Sequence, residues 1–241
     1  MFEGLKKAIS QALRDEPKEV KTEEVKFDFA NLCVRLGSEL VIKDNTGLIY
    51  GSSCTKPSTT IITAIGVIKI HRSTLYRLYL GNAYFVQIII LPDNTIEECR
   101  LYKLVKIEQP STSQEWEKWL LSESRANKEN KPVGIIGKDE YILNDTSYLR
   151  LESWASPDPE WVEPIETFEK RHCLDNIQEI NSVAMAYGRW LNEENQIAEY
   201  LIISSEELAN SSEMHYNTNK DCSIRFYIGI DISFDNLSSS F

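Results

Sequence analysis

The chain has 241 residues, 42% hydrophobic and 26% charged, with 37 acidic against 26 basic side chains and a net charge of −11. Those figures fit a soluble globular protein, either one large β domain or two small ones, that buries roughly 70% of its unfolded surface without a metal or disulfide staple. The acidic balance argues against nonspecific binding to nucleic acid or to an anionic membrane surface, since both need positive potential.

Phe2, Leu5, Ile9, Ala12 and Leu13 fall at helical spacing and predict a short amphipathic helix. Residues 15–26 are charged and nearly free of apolar side chains, as in a solvated linker. Residues 32–41 predict a first strand, Asp44 to Gly47 a turn, and 48–50 a return from it. Residues 51–58 form a loop without the spacing of a phosphate loop.

Residues 59–110 are the longest strongly β-forming run. Ile, Val and Thr crowd 59–70, and their branched Cβ atoms suit a pleated surface. Gly66 interrupts that strand, as at a bulge or a close backbone approach. Strands at 75–80, 83–91 and 96–107 follow, separated by Gly81-Asn82 and by Pro92-Asp93-Asn94-Thr95. The result is an antiparallel meander.

Thr112 and Glu115 stand in capping-box register and open a helix carrying Trp116 and Trp119. After a polar loop at 127–132, short strands are expected at 133–137, 141–143, 148–154 and 161–162. Residues 163–171 read as a helix and 175–180 as a short helix or turn. Strands at 183–191 and 199–204 flank the tip 192–195, and 205–208 reads as a helical turn. Residues 209–222 form a polar loop. In 223–232, Ile224, Phe226, Ile228 and Ile230 alternate against Arg225, Tyr227 and Gly229, the pattern of a half-buried strand. Residues 235–241 read as a tail.

The cysteines at 33, 54, 99, 173 and 222 are odd in number and scattered, so they form neither a disulfide framework nor a zinc site. His71, His172 and His215 have no helical pairing with one another. No nucleophile motif and no dinucleotide or Walker pattern appears, and the adjacent carboxylates sit at expected turns and edges, where solvated charge is the rule. The expectation is therefore no metal, no cofactor and no catalytic residue. Residues 1–13 lack the apolar core of a signal peptide, and no run approaches the roughly 20 apolar residues of a membrane span. A cytoplasmic protein without nucleic-acid partners or an integral membrane segment is expected.

Arg150, Trp154, Trp161, Arg189 and Trp190 are the candidate binding residues, because Arg and Trp are the usual anchors of interfaces. Exposed together they would mark a partner or ligand groove; buried, they would stack inside a sandwich. Arg77, Arg150 and Arg189 each open a segment of the form arginine, aromatic, polar tip, apolar return. Two readings of that recurrence stand: equivalent hairpins of a duplicated β architecture, or the ordinary usefulness of Arg–aromatic stacking in sheets.

Several features in order resemble the YjfK-like family of bacterial proteins: Ala64-x-Gly66, Gln87, Ile136-Gly137 before Tyr141, Arg150 to Trp154 leading into Trp161-Val162-x-Pro164, Tyr187-x-Arg189, Glu199-Tyr200-Leu201 and Gly229-Ile230-Asp231. That resemblance spans about 35–231, brings no catalytic residues with it, and implies a membrane-stress or polyamine-related setting.

The expected fold is α+β and β-rich, with antiparallel meanders forming a barrel or sandwich and a few peripheral helices. Its expected organisation is a helix and linker at 1–26, a first β region at 27–110, a helix and loop at 111–132, a second β region at 133–235, which could be one domain with the first, and a tail at 236–241. The expected function is that of a non-catalytic interaction or scaffold protein with a protein partner. The alternative is a small-molecule binder or enzyme with a pocket between the two β regions.

Overall fold

The structure is a computed structural model and describes residues 26–29, 32–57, 60–70, 72–120, 134–152, 160–209 and 222–240. The amphipathic helix expected within 1–13 lies outside the described residues, as do Trp154, His71, His215 and the loop at 127–132.

Fourteen strands are described. They are β1 (Lys26–Phe29), β2 (Leu32–Arg35), β3 (Glu39–Ile42), β4 (Ile62–Ile70), β5 (Ser73–Leu80), β6 (Tyr84–Ile90) and β7 (Ile96–Glu108), then β8 (Glu140–Leu143), β9 (Thr146–Arg150), β10 (Ile165–Cys173), β11 (Ile177–Asn192), β12 (Ile197–Leu208), β13 (Cys222–Asp231) and β14 (Leu237–Ser240). Helices are peripheral: one turn at Thr46–Ile49 and two turns at Ser113–Trp119. Thr112 caps the second through its hydroxyl, which accepts from the Glu115 N–H at 3.2 Å. Glu115 reaches back to the Ser111 N–H, one residue earlier than a standard capping box.

The large sheet runs β10-β4-β5-β6-β7-β13-β12-β11, and β11 pairs again with β10. Eight antiparallel strands thus close into a barrel without free edges. The meander β4 to β7 supplies half of the wall and β10 to β13 the other half. β11 is long enough to hold β10 with its first half and β9 with its second, so the β8–β9 hairpin extends the wall beyond the closed ring. That hairpin turns at Asn144 and Asp145, both at positive φ (48° and 61°), as a two-residue turn of the right twist demands.

Paired residues on neighbouring strands share a face, so the register defines two surfaces. One carries Ile65, Leu78, Val86, Leu101, Leu201 and Ile228, all buried in the larger apolar cluster. It is covered from outside. Trp119 packs on Phe226 at 5.6 Å between ring centres, and Phe27 packs on Tyr76 at 5.9 Å. The other surface carries Phe85, Tyr102, Tyr200, Ile202 and Tyr227, with Ala184 and Ala186. It faces the inside of the ring. Phe85 on β6 meets Tyr227 on β13 at 5.0 Å over the intervening β7, and Arg171 on β10 lies 3.8 Å from Glu206 on β12 over the intervening β11. Only side chains pointing across the lumen can do so. Gly229 makes room there, because the Tyr102 ring lies where its Cβ would be.

Several local expectations are corrected. Residues 163–171 are not a helix but most of β10, because Glu169 and Arg171 find partners inside the barrel that a helix would deny them. Residues 205–208 continue β12 for the same reason, with Glu206 turned inward. Residues 48–50 do not return as a strand; they belong to the one-turn helix Thr46–Ile49 and its cap. Residues 133–137 are not a strand over their described part, and Leu237–Ser240 is not a free tail but strand β14, paired with β3. The Arg77 and Arg189 hairpins are not equivalent, since Arg77 points into the lumen and Arg189 points outward to Glu199.

Candidate functional site

The lumen is polar as well as aromatic, with Arg77, Gln87, Glu169 and Glu206 all buried. Glu169 on β10 is fully buried. It accepts from Arg171 Nε at 2.8 Å, from Arg77 Nη1 at 3.2 Å and from the Tyr79 hydroxyl at 2.8 Å. To reach β5 it must cross β4, and Gly66 allows this: a Cβ at that position would run into the Glu169 carboxylate. Burial pushes the Glu169 carboxyl up, but the Arg171 and Arg77 charges outweigh it and hold the group below the usual range.

From Arg77 the chain of bonds continues. Its Nε donates to Gln87 at 3.3 Å, Gln87 Nε2 donates to Glu98 at 2.8 Å, and Glu98 pairs with Arg100 at 2.6 Å. Arg100 donates to Asp231 at 2.8 Å and lies over the Tyr200 ring at 3.7 Å. Gln87 therefore divides two ion clusters. One has Arg100 between Glu98 and Asp231. The other has Arg77, Arg171 and Arg225 around Glu169 and Glu206, leaving one positive charge in excess.

That second cluster floors a cavity of about 450 Å³ at one mouth of the barrel, lined among others by Tyr79, Phe85, Leu104, Arg171, Arg225 and Tyr227. Arg171 also lies over the Tyr79 ring at 4.1 Å and donates to its hydroxyl at 2.6 Å. Glu206 accepts from Tyr227 at 2.8 Å, but its other oxygen lies 3.4 Å from Arg225 and 3.8 Å from Arg171. Both contacts exceed the 2.7–2.9 Å or so of a charge-assisted hydrogen bond. Two guanidiniums thus share one carboxylate loosely. Cys173 also lines the cavity, and burial pushes its thiol up, away from the reactive thiolate. Tyr79 and Tyr227 are likewise pushed up, first by burial and then by the nearby Glu169 and Glu206. These three groups therefore stay protonated and neutral near neutral pH.

Of the candidates read from sequence, the described ones, Arg150, Trp161, Arg189 and Trp190, lie elsewhere, around the β8–β9 hairpin. Arg150 Nη1 donates to the Gly137 carbonyl at 2.8 Å and Trp161 Nε1 to the Ile136 carbonyl at 3.0 Å, so both hold the segment Ile136-Gly137 in place. Arg189 pairs with the buried Glu199 at 2.8 Å. Glu199 also accepts from Ser52 at 2.5 Å and from the Tyr148 hydroxyl at 2.7 Å, joining the loop near Ser52 and β9 to the barrel wall. Trp190 is 57% exposed. By register it shares a face with Leu149 and Ile142, 62% and 63% exposed, forming an apolar face on the sheet extension.

Sequence reasoning did not single out Arg77, Glu169, Arg171, Glu206 or Arg225 as site residues. One signal was present: charged or hydroxyl-bearing residues at every second position, as in Glu169-x-Arg171 and Arg225-x-Tyr227. In 223–232 they read as the open side of a half-buried strand and in 163–171 as part of a helix, because nothing local says which face of a strand is inside.

Fold and site together define a closed antiparallel barrel with a charged lumen and an open, ligand-sized mouth. The chain belongs to the family described as "Protein of unknown function (DUF2491)", which it matches over residues 14–238. No curated protein and no solved structure matches it. Among the described residues, no helix is long and apolar enough to cross a membrane.

Proposed function

We propose that this protein is a non-catalytic binder of a small molecule, held in the mouth of the barrel between β4–β7 and the strands β10 and β13. The observation that carries the reading is the cavity of about 450 Å³ above Arg171 and Arg225. Small-molecule sites run from roughly 300 to 1,000 Å³, with apolar walls and a few placed polar groups, and barrel mouths are a common location. Ala83 lines the rim and is exposed, so Ala83→Trp should block the cavity without disturbing the core. The test is native mass spectrometry after exposure to a small-molecule cell extract. The wild type should retain an added mass that Ala83→Trp does not; equal retention in both, or none in the wild type, would refute the reading.

A second reading rests on Trp190, Leu149 and Ile142. Exposed aromatic and aliphatic side chains on one face are where a protein partner docks, which keeps Trp190 as an interface anchor within an interaction or scaffold role. The YjfK-like resemblance brings a membrane-stress or polyamine-related setting to either reading, with a cytoplasmic location. The net charge of −11 suits cationic partners, but the mouth at Arg171 and Arg225 repels a polyamine, so such a molecule would bind elsewhere.

A further inference from the structure

We infer that the molecule taken by the barrel mouth is an amphiphilic monoanion: a single carboxylate-type head seated between Arg171 and Arg225, with an apolar body lying toward the rim. This deepens the binding reading above and rests on it.

The sign comes from the charge balance. Arg77, Arg171 and Arg225 face Glu169 and Glu206 in one cluster, and the opposing cluster of Glu98, Arg100 and Asp231 lies beyond Gln87. Along β13, Arg225 and Asp231 are separated by about 20 Å at the rise of a strand, so the excess positive charge sits at one end of the lumen only. One negative charge neutralises it. A dianion would leave a negative charge in a largely desolvated site, and a cation would face two guanidiniums.

The position of the head comes from the geometry at Glu206. Arg171 is anchored by Glu169 and Tyr79 and Arg225 by the Ser223 hydroxyl at 3.0 Å, so neither head is free to swing far. Both face the same Glu206 oxygen at distances too long for a strong bond. Two fixed, adjacent guanidiniums with one loosely shared carboxylate make a preorganised oxyanion seat, and the planar fork of arginine favours a carboxylate. Both guanidiniums line the cavity itself, as do the rings of Tyr79 and Tyr227, so a head group entering from the mouth meets them directly.

The apolar body follows from the walls. Phe85 and Leu104 line the cavity below the rim, and Ile107, half exposed, stands at its edge. Ile107 is the cross-strand partner of Arg225, so an apolar chain on a head seated there has these three side chains as its apolar walls. Such a chain takes the exposed part of Ile107 out of water and lies against the already buried Phe85.

Calorimetric titration of the purified protein with dodecanoate, dodecanol and dodecyltrimethylammonium tests this. Dodecanoate should bind at least about tenfold more tightly than dodecanol, and the ammonium compound should not bind, since a charged head desolvated against two guanidiniums is either matched or rejected. Arg225→Met should weaken dodecanoate about tenfold or more and leave dodecanol unchanged. Because Arg225 also pairs with Glu206, Ile107→Glu serves as a second variant at an exposed position; its carboxylate at the rim should weaken dodecanoate more than dodecanol. Equal binding of the alcohol or of the ammonium compound would overturn the monoanion while leaving the mouth as a site. Binding of none of the three, or binding that survives Ala83→Trp unchanged, would overturn the binding reading itself.

Discussion

Replacing Glu169 by Gln keeps the shape of the side chain and removes its charge. In the folded protein that carboxylate is 1% exposed and takes hydrogen bonds from Arg77 at 3.2 Å, Arg171 at 2.8 Å and Tyr79 at 2.8 Å. The variant leaves two buried guanidiniums without their common counter-charge, and breaking a buried pair in this way costs about 3–5 kcal/mol. For a chain of this size that corresponds to a fall in Tm of roughly 6–20 °C. Urea unfolding followed by the fluorescence of Trp116 and Trp119, both buried on the outer wall, reads the loss. Arg77→Met alone should cost a similar amount, and the double variant should cost less than the sum by about 1 kcal/mol or more, because the two act as one unit. A loss below about 1 kcal/mol, the value of an exposed pair, would show that Glu169 is solvated and that the polar face of β10 is not inside the ring.

Three further outcomes follow from the same geometry. Gly66→Ala should destabilise by an amount approaching that of Glu169→Gln, as its Cβ displaces the same carboxylate; a neutral Gly66→Ala on urea unfolding would contradict the crossing over β4. Glu169 and Glu199 are both held below the usual carboxylate range, each by neighbours that outweigh its burial. Their contribution is therefore complete above the unfolded pKa of about 4.3 and is lost as pH falls from there through the lower folded values. Glu98, held up by burial, works in the opposite sense. The gap between the melting curves of wild type and Glu169→Gln should thus begin to narrow as pH falls below about 4 and go on narrowing at lower pH; a constant gap would refute the assignment. Trp190→Ser, at an exposed position, should leave Tm unchanged within about 1–2 °C and abolish capture of any protein partner by the tagged chain at native levels. Unaltered capture would remove Trp190 from the interface.

The meander β4 to β7 was legible because its strands announce themselves: β-branched runs bounded by Gly81-Asn82 and Pro92 to Thr95 leave little else for the chain to do. The Thr112 cap was legible for the same local reason. Residues 163–171 were not, because Glu166, Glu169 and Arg171 spaced among apolar residues suit a helix in isolation, and only the lumen supplies the partners that make them a strand. Ser223 to Asp231 reads as a half-buried strand; it is a strand with its apolar side buried, but its second side is largely buried as well. Period two separates Ile224, Phe226 and Ile228 from Arg225, Tyr227 and Gly229, but it cannot say that the apolar side faces Trp119 outside the barrel and the polar side faces Glu206 within. The site at Arg171 and Arg225 inherits that ambiguity. Those residues come from β10 and β13, and nothing along the chain brings them together until the ring closes.

The most direct test is a crystal of the protein grown with a terminally brominated dodecanoate, with anomalous scattering from bromine measured to locate the chain end. The account predicts a carboxylate density within hydrogen-bond reach of Arg171 and Arg225 and a bromine peak toward Ile107 at the rim. A bromine peak on the outer wall or at the Asp231 end of the lumen, with the Arg171 and Arg225 heads still facing Glu206 alone, would contradict it.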